Sequence, residues 1–479
     1  MRLSEILSEI QYISVSGNTD PEINEVTNNT SEISAGDIFV CIKGFKTNGH
    51  KYISQAVENK AAAVVVSEDV GPLPVPIIKV NDTRLALSEI SKAVYKDPSR
   101  ELKIIGVTGT NGKTTVSYLI KSILETAGNT VGLIGTNETI VGQTRIPAMR
   151  TTPESHKLNK LFREMISMNV KYCVMEVSSH SLELYRVHGI SFTAGVFTNL
   201  THDHLDFHGT MENYFDAKAK LFSMSEISVI NIDSPWGVKL AKRAEGHLIT
   251  YSINNPSDNK AENVELFPGG NVFELGNRGY SMCIPGTFSV YNGLAAICTC
   301  RALGVPAHMI AEGLAISHGA KGRAELVEIP ADFKVIIDYA HTPDGLYNIL
   351  TTIKDFAPAR IICVFGAAGE RDSVKRPEMG EIVGKYADFA YITADNPINE
   401  DLTLICKQVE AGMKQTNCPY EIIYDRKIAI EKALNNASKD DIVLLAGKGH
   451  ETYQLIGDDK VPFSETEIVQ NFFINQEDK

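Results

Sequence analysis

The sequence predicts an α/β protein built in three blocks, and three observations carry that prediction. Short β-branched apolar runs alternate with stretches of helical period along nearly the whole chain, as in strands joined by helical crossovers. The length of 479 residues is enough for about three domains. A glycine-rich turn, GVTGTNGKTT at 106–115, joins one apolar run to a helical stretch.

The first block is residues 1–100. MRLSEILSEIQYIS mixes charges into its apolar positions, so it starts a folded domain and lacks the unbroken apolar core of a signal peptide. GDIFVCIKG reads as a strand, YISQAVENK as a helix and AAAVVVS as a buried strand. DPSRELK (97–103) is polar, contains a proline and reads as a linker.

The second block, 101–325, is expected to be a doubly wound parallel sheet. IIGVTGT is a strand entering a glycine turn, and VSYLIKSILETAG is a helix closed by Gly128. VKYCVMEVS, TAGVFTNL and ISVINI supply further strands. The third block, 326–479, alternates again through FKVIIDYAH, RIICVFGA, FAYITAD, YEIIYD and DIVLLAGKG, a compact α/β domain of ordinary size.

Composition narrows the function. At 43% hydrophobic and 22% charged the chain is an ordinary globular protein. No apolar run approaches the ~20 residues needed to cross a bilayer, so no membrane association is expected. The eight cysteines are scattered, in neither a zinc pattern nor a disulfide framework, which fits a reducing cytoplasm. A net charge of −13 argues against a nucleic-acid partner but leaves room for a basic pocket around a small anion.

In GVTGTNGKTT, Gly109 and Gly112 let backbone N–H groups turn inward toward phosphate oxygens, with Thr110 and Asn111 between them. Lys113 adds positive charge, Thr114 or Thr115 offers a hydroxyl to Mg²⁺, and the helix start favours the anion. The strict GxxxxGK[ST] pattern fails by one position, because Val107 stands where its first glycine belongs. ATP or GTP binding follows; no particular reaction does, since switches, kinases and ligases share such loops. A second cluster, THDHLDFH at 201–208, packs three histidines and two aspartates into eight residues without the spacing of a zinc-protease helix.

TGTNGKTT, MEVSSHSLELYR (175–186), NLTHDHLDFHGTMENYFDAK (199–218), DYAHTPDG (338–345), GERDSVKRPEMG (369–380), ADNPINED (394–401) and GKGHETYQ (447–454), taken in order, closely resemble the Mur ligases, and among them the MurE type. The resemblance spans essentially the whole chain. It implies a small N-terminal UDP-binding domain, a central ATPase-like domain and a C-terminal Rossmann-like domain that holds an amino acid. The implied reaction is ATP-dependent amide-bond formation, adding a diamino acid to UDP-N-acetylmuramoyl-L-alanyl-D-glutamate through an acyl phosphate in peptidoglycan precursor synthesis. A carboxylate is a poor electrophile until one of its oxygens becomes a phosphate leaving group, and cations must screen its repulsion from the γ-phosphate.

The same resemblance implies two Mg²⁺ ions, one held by Glu176 and Thr114 and one at His204. It also implies that Lys218, 14 residues after His204, carries CO₂ as a carbamate, which turns a cation into an oxygen ligand. His202, His208 and Lys220 take the bland reading of structural or solvent-facing side chains. Asn292, Arg323, Asp338 and His341 match positions near the nucleotide. Thr151, Thr152, Ser178 and Arg186 match contacts to the UDP-muramoyl-dipeptide, the last because a guanidinium fork suits an oxyanion. Asn29 is the candidate for the UDP end, although TNNTSE (27–32) lacks the family's Asp-Ser-Arg triplet and Leu184 stands where some relatives carry glutamine.

Arg371, Asp395, Asn396, Pro397, Ile398, Gly447 and Glu451 match the amino-acid pocket. Relatives that add diaminopimelate read Asp-Asn-Pro-Arg, and the arginine pairs with that substrate's second carboxylate. Ile398 cannot, and Glu400 and Asp401 follow it, so L-lysine or ornithine is the expectation over meso-diaminopimelate. Lys375 and Arg376 are the alternative carboxylate partners. Competing readings are a folylpolyglutamate synthase-like ligase and a non-catalytic nucleotide-binding regulator. A cytoplasmic monomer is expected.

Overall fold

The computed structural model describes residues 1–45, 47–357 and 359–477. The chain divides into two compact units: Met1–Tyr251 with Cys298–Val305, and Ser252–Ile297 with Pro306 onward. It is mixed α/β with parallel-rich sheets, the class read from the alternating pattern.

The first unit begins with a five-stranded sheet, in the order Ser14–Ser16, Ile77–Lys79, Ala63–Val66, Ile38–Val40, Val26–Thr27. Only the Ser14–Ser16 edge is antiparallel. Ala63–Val66 is buried on both faces, which is why its sequence is an unbroken apolar run. The helix Thr83–Val94 is started by the Asp82 carboxylate, which accepts the Arg84 and Leu85 N–H groups. Such a cap stabilises a helix by about 1 kcal/mol. The 97–103 stretch is packed rather than loose. Pro98–Arg100 forms a 3₁₀ turn, and Arg163 donates to the Tyr95 and Lys96 carbonyls beside it.

The larger sheet of this unit runs His247–Ser252, Ser225–Asn231, Phe192–Phe197, Lys103–Thr108, Tyr172–Glu176, Val131–Ile134, all parallel. An antiparallel hairpin, Glu138–Val141 with Thr144–Pro147, extends it. Lys103–Thr108, the strand of the glycine-rich loop, is central, and Ile104, Ile105 and Val107 are fully buried. Gly106 lets the sheet close on its neighbours, since a Cβ there would lie 2.8 Å from the Phe192 ring.

The second unit holds a three-stranded antiparallel meander (Asn259–Phe267, Gly270–Leu275, Arg278–Met282) and a six-stranded sheet. The sheet order is Glu325–Val327, Lys334–Asp338, Ile442–Ala446, Ile361–Phe365, Phe389–Ile392, Tyr420–Ile422, parallel except at the first pair. Ile442–Ala446 comes late in sequence but sits between Lys334–Asp338 and Ile361–Phe365. The loops that leave the carboxyl ends of these strands therefore face one crevice, where open parallel sheets bind ligands.

Candidate active site

In the first unit the glycine-rich loop is fixed from below by the next strand's exit. Gly109 lies at φ +152°, and a Cβ there would be 1.9 Å from Thr198 Oγ1, so only glycine fits. Thr198 Oγ1 donates to the Asn111 carbonyl at 2.6 Å, Asn199 Oδ1 accepts the Asn111 N–H at 3.0 Å, and the Asn199 carbonyl accepts the Thr110 N–H. Gly112, at φ +85°, starts the helix Lys113–Thr126. Lys113 folds back so that Nζ donates to the Gly109 and Thr110 carbonyls at 3.0 and 2.8 Å.

Glu176 ends the adjacent strand, buried at 1% exposure. Its Oε2 accepts Thr114 Oγ1 at 3.0 Å and Thr136 Oγ1 at 3.0 Å, and its Oε1 accepts the Thr136 N–H at 2.7 Å. Thr115 is buried in the same helix turn. Thr136 in turn meets Thr151 Oγ1 at 3.1 Å. Thr152 Oγ1 donates to the Glu176 carbonyl at 2.9 Å and accepts the Ser178 N–H at 3.1 Å. Arg186, half-enclosed, donates to the Thr152 carbonyl and pairs with Glu154 at 3.1 Å.

His204 lies at φ +53°, a sparsely populated conformation for a residue with a side chain. Its ring stands edge-on to His180 at 4.9 Å and to Tyr214 at 6.0 Å, and Nε2 is 3.3 Å from Asp203 Oδ2. Burial lowers its pKa, so the imidazole stays neutral at neutral pH and keeps a lone pair. Lys218, in the helix Met211–Ser223, is 2% exposed, donates from Nζ to the Gly109 carbonyl at 2.8 Å and lies over the Tyr214 ring. Burial, and secondly the Lys113 ammonium, push its pKa well below the usual lysine range. His208 donates to or accepts from Ser179 Oγ at 3.0 Å and stacks on Tyr214, while the exposed Lys220 pairs with Glu183. Asn29 lies apart from this group, taking the Ser31 N–H and donating to Glu32.

In the second unit, Asp338 receives the Ala324 and Ala340 N–H groups at 2.7 and 2.8 Å, and burial raises its pKa. The Arg323 guanidinium lies 4.7 Å over Tyr339, and its buried Nε has no hydrogen-bond partner among the described residues. His341 Nδ1 is 2.7 Å from the Tyr339 carbonyl, and Asn292 is buried in the helix Thr287–Ala302. Asp395 is buried and Gly447, at φ +117°, runs against it: a Cβ there would be 2.8 Å from Asp395 Oδ2. Asn396 Nδ2 donates to Glu451 Oε2 at 3.0 Å. Gly369 packs on the Pro397 carbonyl, and Arg371 follows, exposed. Ile398, at φ +54°, hydrogen-bonds through its backbone to Leu455 and Gly457 of the Tyr453–Ile456/Asp459–Pro462 hairpin.

Sequence reasoning did not single out Thr136, Thr198, Asn199, Tyr214, Lys448 or Arg426. Tyr214 stands four residues before Lys218 on one helix face, a spacing that could have marked it. The others converge only through strand order.

The chain as a whole is similar to known proteins. The chain matches the Mur ligase middle domain over residues 107–300, the Mur ligase glutamate ligase domain over 322–449 and the Mur ligase family catalytic domain over 22–95. It belongs to the Mur ligase family and, as such, is an ATP-dependent ligase that joins an acid to an amino acid. Within the family it is of the MurE type. It is 46% identical, over 100% of both chains, to a UDP-N-acetylmuramoyl-L-alanyl-D-glutamate--2,6-diaminopimelate ligase of Caldanaerobacter subterraneus subsp. tengcongensis. It is also 46% identical to the ligase of the same name from Clostridium perfringens, over 98% of this chain and 99% of that one. A solved structure of a ligase with that name superposes with a TM-score of 0.70 at 28% identity, covering 95% of each chain.

These relatives overturn the expectation of L-lysine or ornithine. The local carboxylates that motivated it are engaged within the protein. Glu400 accepts two bonds from Arg376, at 2.6 and 2.7 Å, and a third from the Glu370 N–H. Asp401 caps the helix Leu402–Met413 through the Thr403 N–H. Glu400 is thus paired with a cation, and Asp401 is turned to its own helix start. Arg376, 1% exposed and committed to Glu400, Gln408 and the Ala368 carbonyl, is no substitute carboxylate partner either.

Proposed function

We propose that this chain joins diaminopimelate to the terminal carboxylate of UDP-N-acetylmuramoyl-L-alanyl-D-glutamate, with ATP as the phosphoryl donor. The observation that carries the reading is the Glu176 carboxylate. It is locked to Thr114 and Thr136 beside the Lys113 loop, in a chain aligned end to end with ligases of that name. Lys113 and the loop N–H groups would hold the γ-phosphate, and Thr151, Thr152, Ser178 and Arg186 the dipeptide. Arg371, Asp395, Asn396, Pro397, Gly447 and Glu451 would hold the amino acid, with Ile398 at the rim. Asn292, Arg323, Asp338 and His341 are assigned to the nucleotide, and Asn29 to the UDP end. Phosphoryl transfer to the acceptor carboxylate gives an acyl phosphate; the amine attacks its carbonyl, the C–N bond forms, and phosphate leaves.

Mg²⁺ would screen the anionic oxygens when bound. Thr114 Oγ1 and Glu176 Oε2, 3.0 Å apart, are hard oxygen donors of the kind Mg²⁺ takes together with phosphates and water. No three His, Cys, Asp or Glu side chains converge as a cage among the described residues, so an ion here would lean on the substrates. A second ion at His204 fits only if Lys218 becomes an anion. The depressed pKa of Lys218 favours the neutral amine, the form that adds CO₂. No helix among the described residues is long and apolar enough to cross a membrane, in keeping with a cytoplasmic enzyme acting on soluble substrates.

The test is ATP-dependent phosphate release with the UDP-muramoyl-dipeptide and each diamino acid in turn. Release with diaminopimelate, at a kcat/KM well above that with lysine or ornithine, is expected. Release only with an amino acid lacking a second carboxylate would sink the proposal.

A further inference from the structure

Beneath Asn396 and Glu451 lies a buried ionic network that ties two of the sequence motifs to Arg426 and Glu465. Lys448 has a side chain that is 0% exposed, and its Nζ is 2.6 Å from Glu451 Oε2, 2.8 Å from Asn396 Oδ1 and 3.9 Å from Asp395 Oδ1. Asn396 Oδ1 also accepts the Leu455 N–H, so the hairpin is tied into the same knot. Behind it, Arg426 and Glu465 pair at 2.8 Å with both side chains fully enclosed. Arg426 also donates to the Ala394 and Ala446 carbonyls, gripping the ends of two strands.

Counted in their ionised forms, two cations (Lys448, Arg426) face three carboxylates (Asp395, Glu451, Glu465), leaving one negative charge in excess. Further out, Arg323 and Asp338 oppose each other, and Lys321, His341 and His450 also face the group. Of the five side chains, Glu451 at 16% exposure is the one open to solvent, against 0–4% for the rest. The excess charge and the way in therefore meet at Glu451. An uncompensated buried charge is costly, so the site is primed for a small ligand's ammonium group.

We propose that Lys448 is a positioning residue of the amino-acid pocket: it holds the Glu451 carboxylate and the Asn396 amide in place and limits the enclosed excess to a single negative charge. This rests on the assignment of Asn396 and Glu451 to that pocket. Without Lys448 two negative charges would be in excess, so a carboxyl group would take up a proton and Glu451 would lose its orientation.

The experiment is steady-state phosphate release by the full-length enzyme with the Lys448→Met and Lys448→Arg variants. For Lys448→Met, the KM for diaminopimelate should rise at least tenfold, the KM for ATP should stay within twofold, and the pH profile of kcat/KM for diaminopimelate should shift. Lys448→Arg, which keeps charge and donors, should recover most of the loss. Should Lys448→Met not fold, Lys448→Gln, which keeps an N–H donor without the charge, should show the same rise. A variant with a lowered unfolding midpoint but an unchanged amino-acid KM would show a merely structural lysine and overturn this inference alone. A wild-type enzyme inert with every diamino acid would overturn the functional reading as well.

Discussion

The glycine-rich loop of the first unit and the buried ionic network of the second are built on different principles. The first is a backbone site. Two glycines, a lysine and a threonine lie within the single stretch 109–114, and Thr198 and Asn199 hold it from the next strand. The second is a side-chain site, in which Asp395, Asn396, Lys448, Glu451, Arg426 and Glu465 come from distant segments and depend on one another's charges. A backbone site shows as a motif, whereas a charge network shows only when its members can be counted together.

That contrast can be sharpened by experiment. The largest effect is expected from Arg426→Met, which strands the buried Glu465 carboxylate. Removing one partner of a buried pair costs about 3–5 kcal/mol, read as a lower urea midpoint; a loss near zero would show that the network is not structural. Lys113→Met should instead leave the midpoint nearly unchanged and slow phosphate release by about 10²–10³, as for loss of one transition-state donor. Equal effects of the two variants on stability would erase the distinction.

A smaller effect concerns acid. Arg376 holds the Glu400 carboxyl down to about 2, against an ordinary 4.5. A depressed carboxyl contributes stability above its unfolded pKa and loses it as pH falls toward its folded one. Stability should therefore decline below pH 4.5, with a shallower slope in Glu400→Gln across that window; an identical slope would remove Glu400 from the account. Smallest of all, Ile398→Arg should lower the KM for diaminopimelate severalfold, up to about tenfold for a new carboxylate pair, with little change for lysine. No change would mean that the second carboxylate points elsewhere.

The sequence alone determined the class of fold, since unbroken apolar runs such as Ala63–Val66 and Ile442–Ala446 are what strands buried on both faces require. It also marked the glycine-rich turn between strand and helix, despite the missing first glycine. That position, Val107, lies within the buried central strand, where no turn is needed. What it could not determine was charge balance. Glu400 and Asp401 look like free acids beside Ile398, but one is taken by Arg376 from 24 residues upstream and the other by a helix N-terminus. Nothing in GKGHE marks Lys448 as buried, yet its side chain is wholly enclosed. Backbone conformation is set by neighbours in sequence, whereas the free energy of a charge is set by what tertiary packing brings within a few ångströms of it.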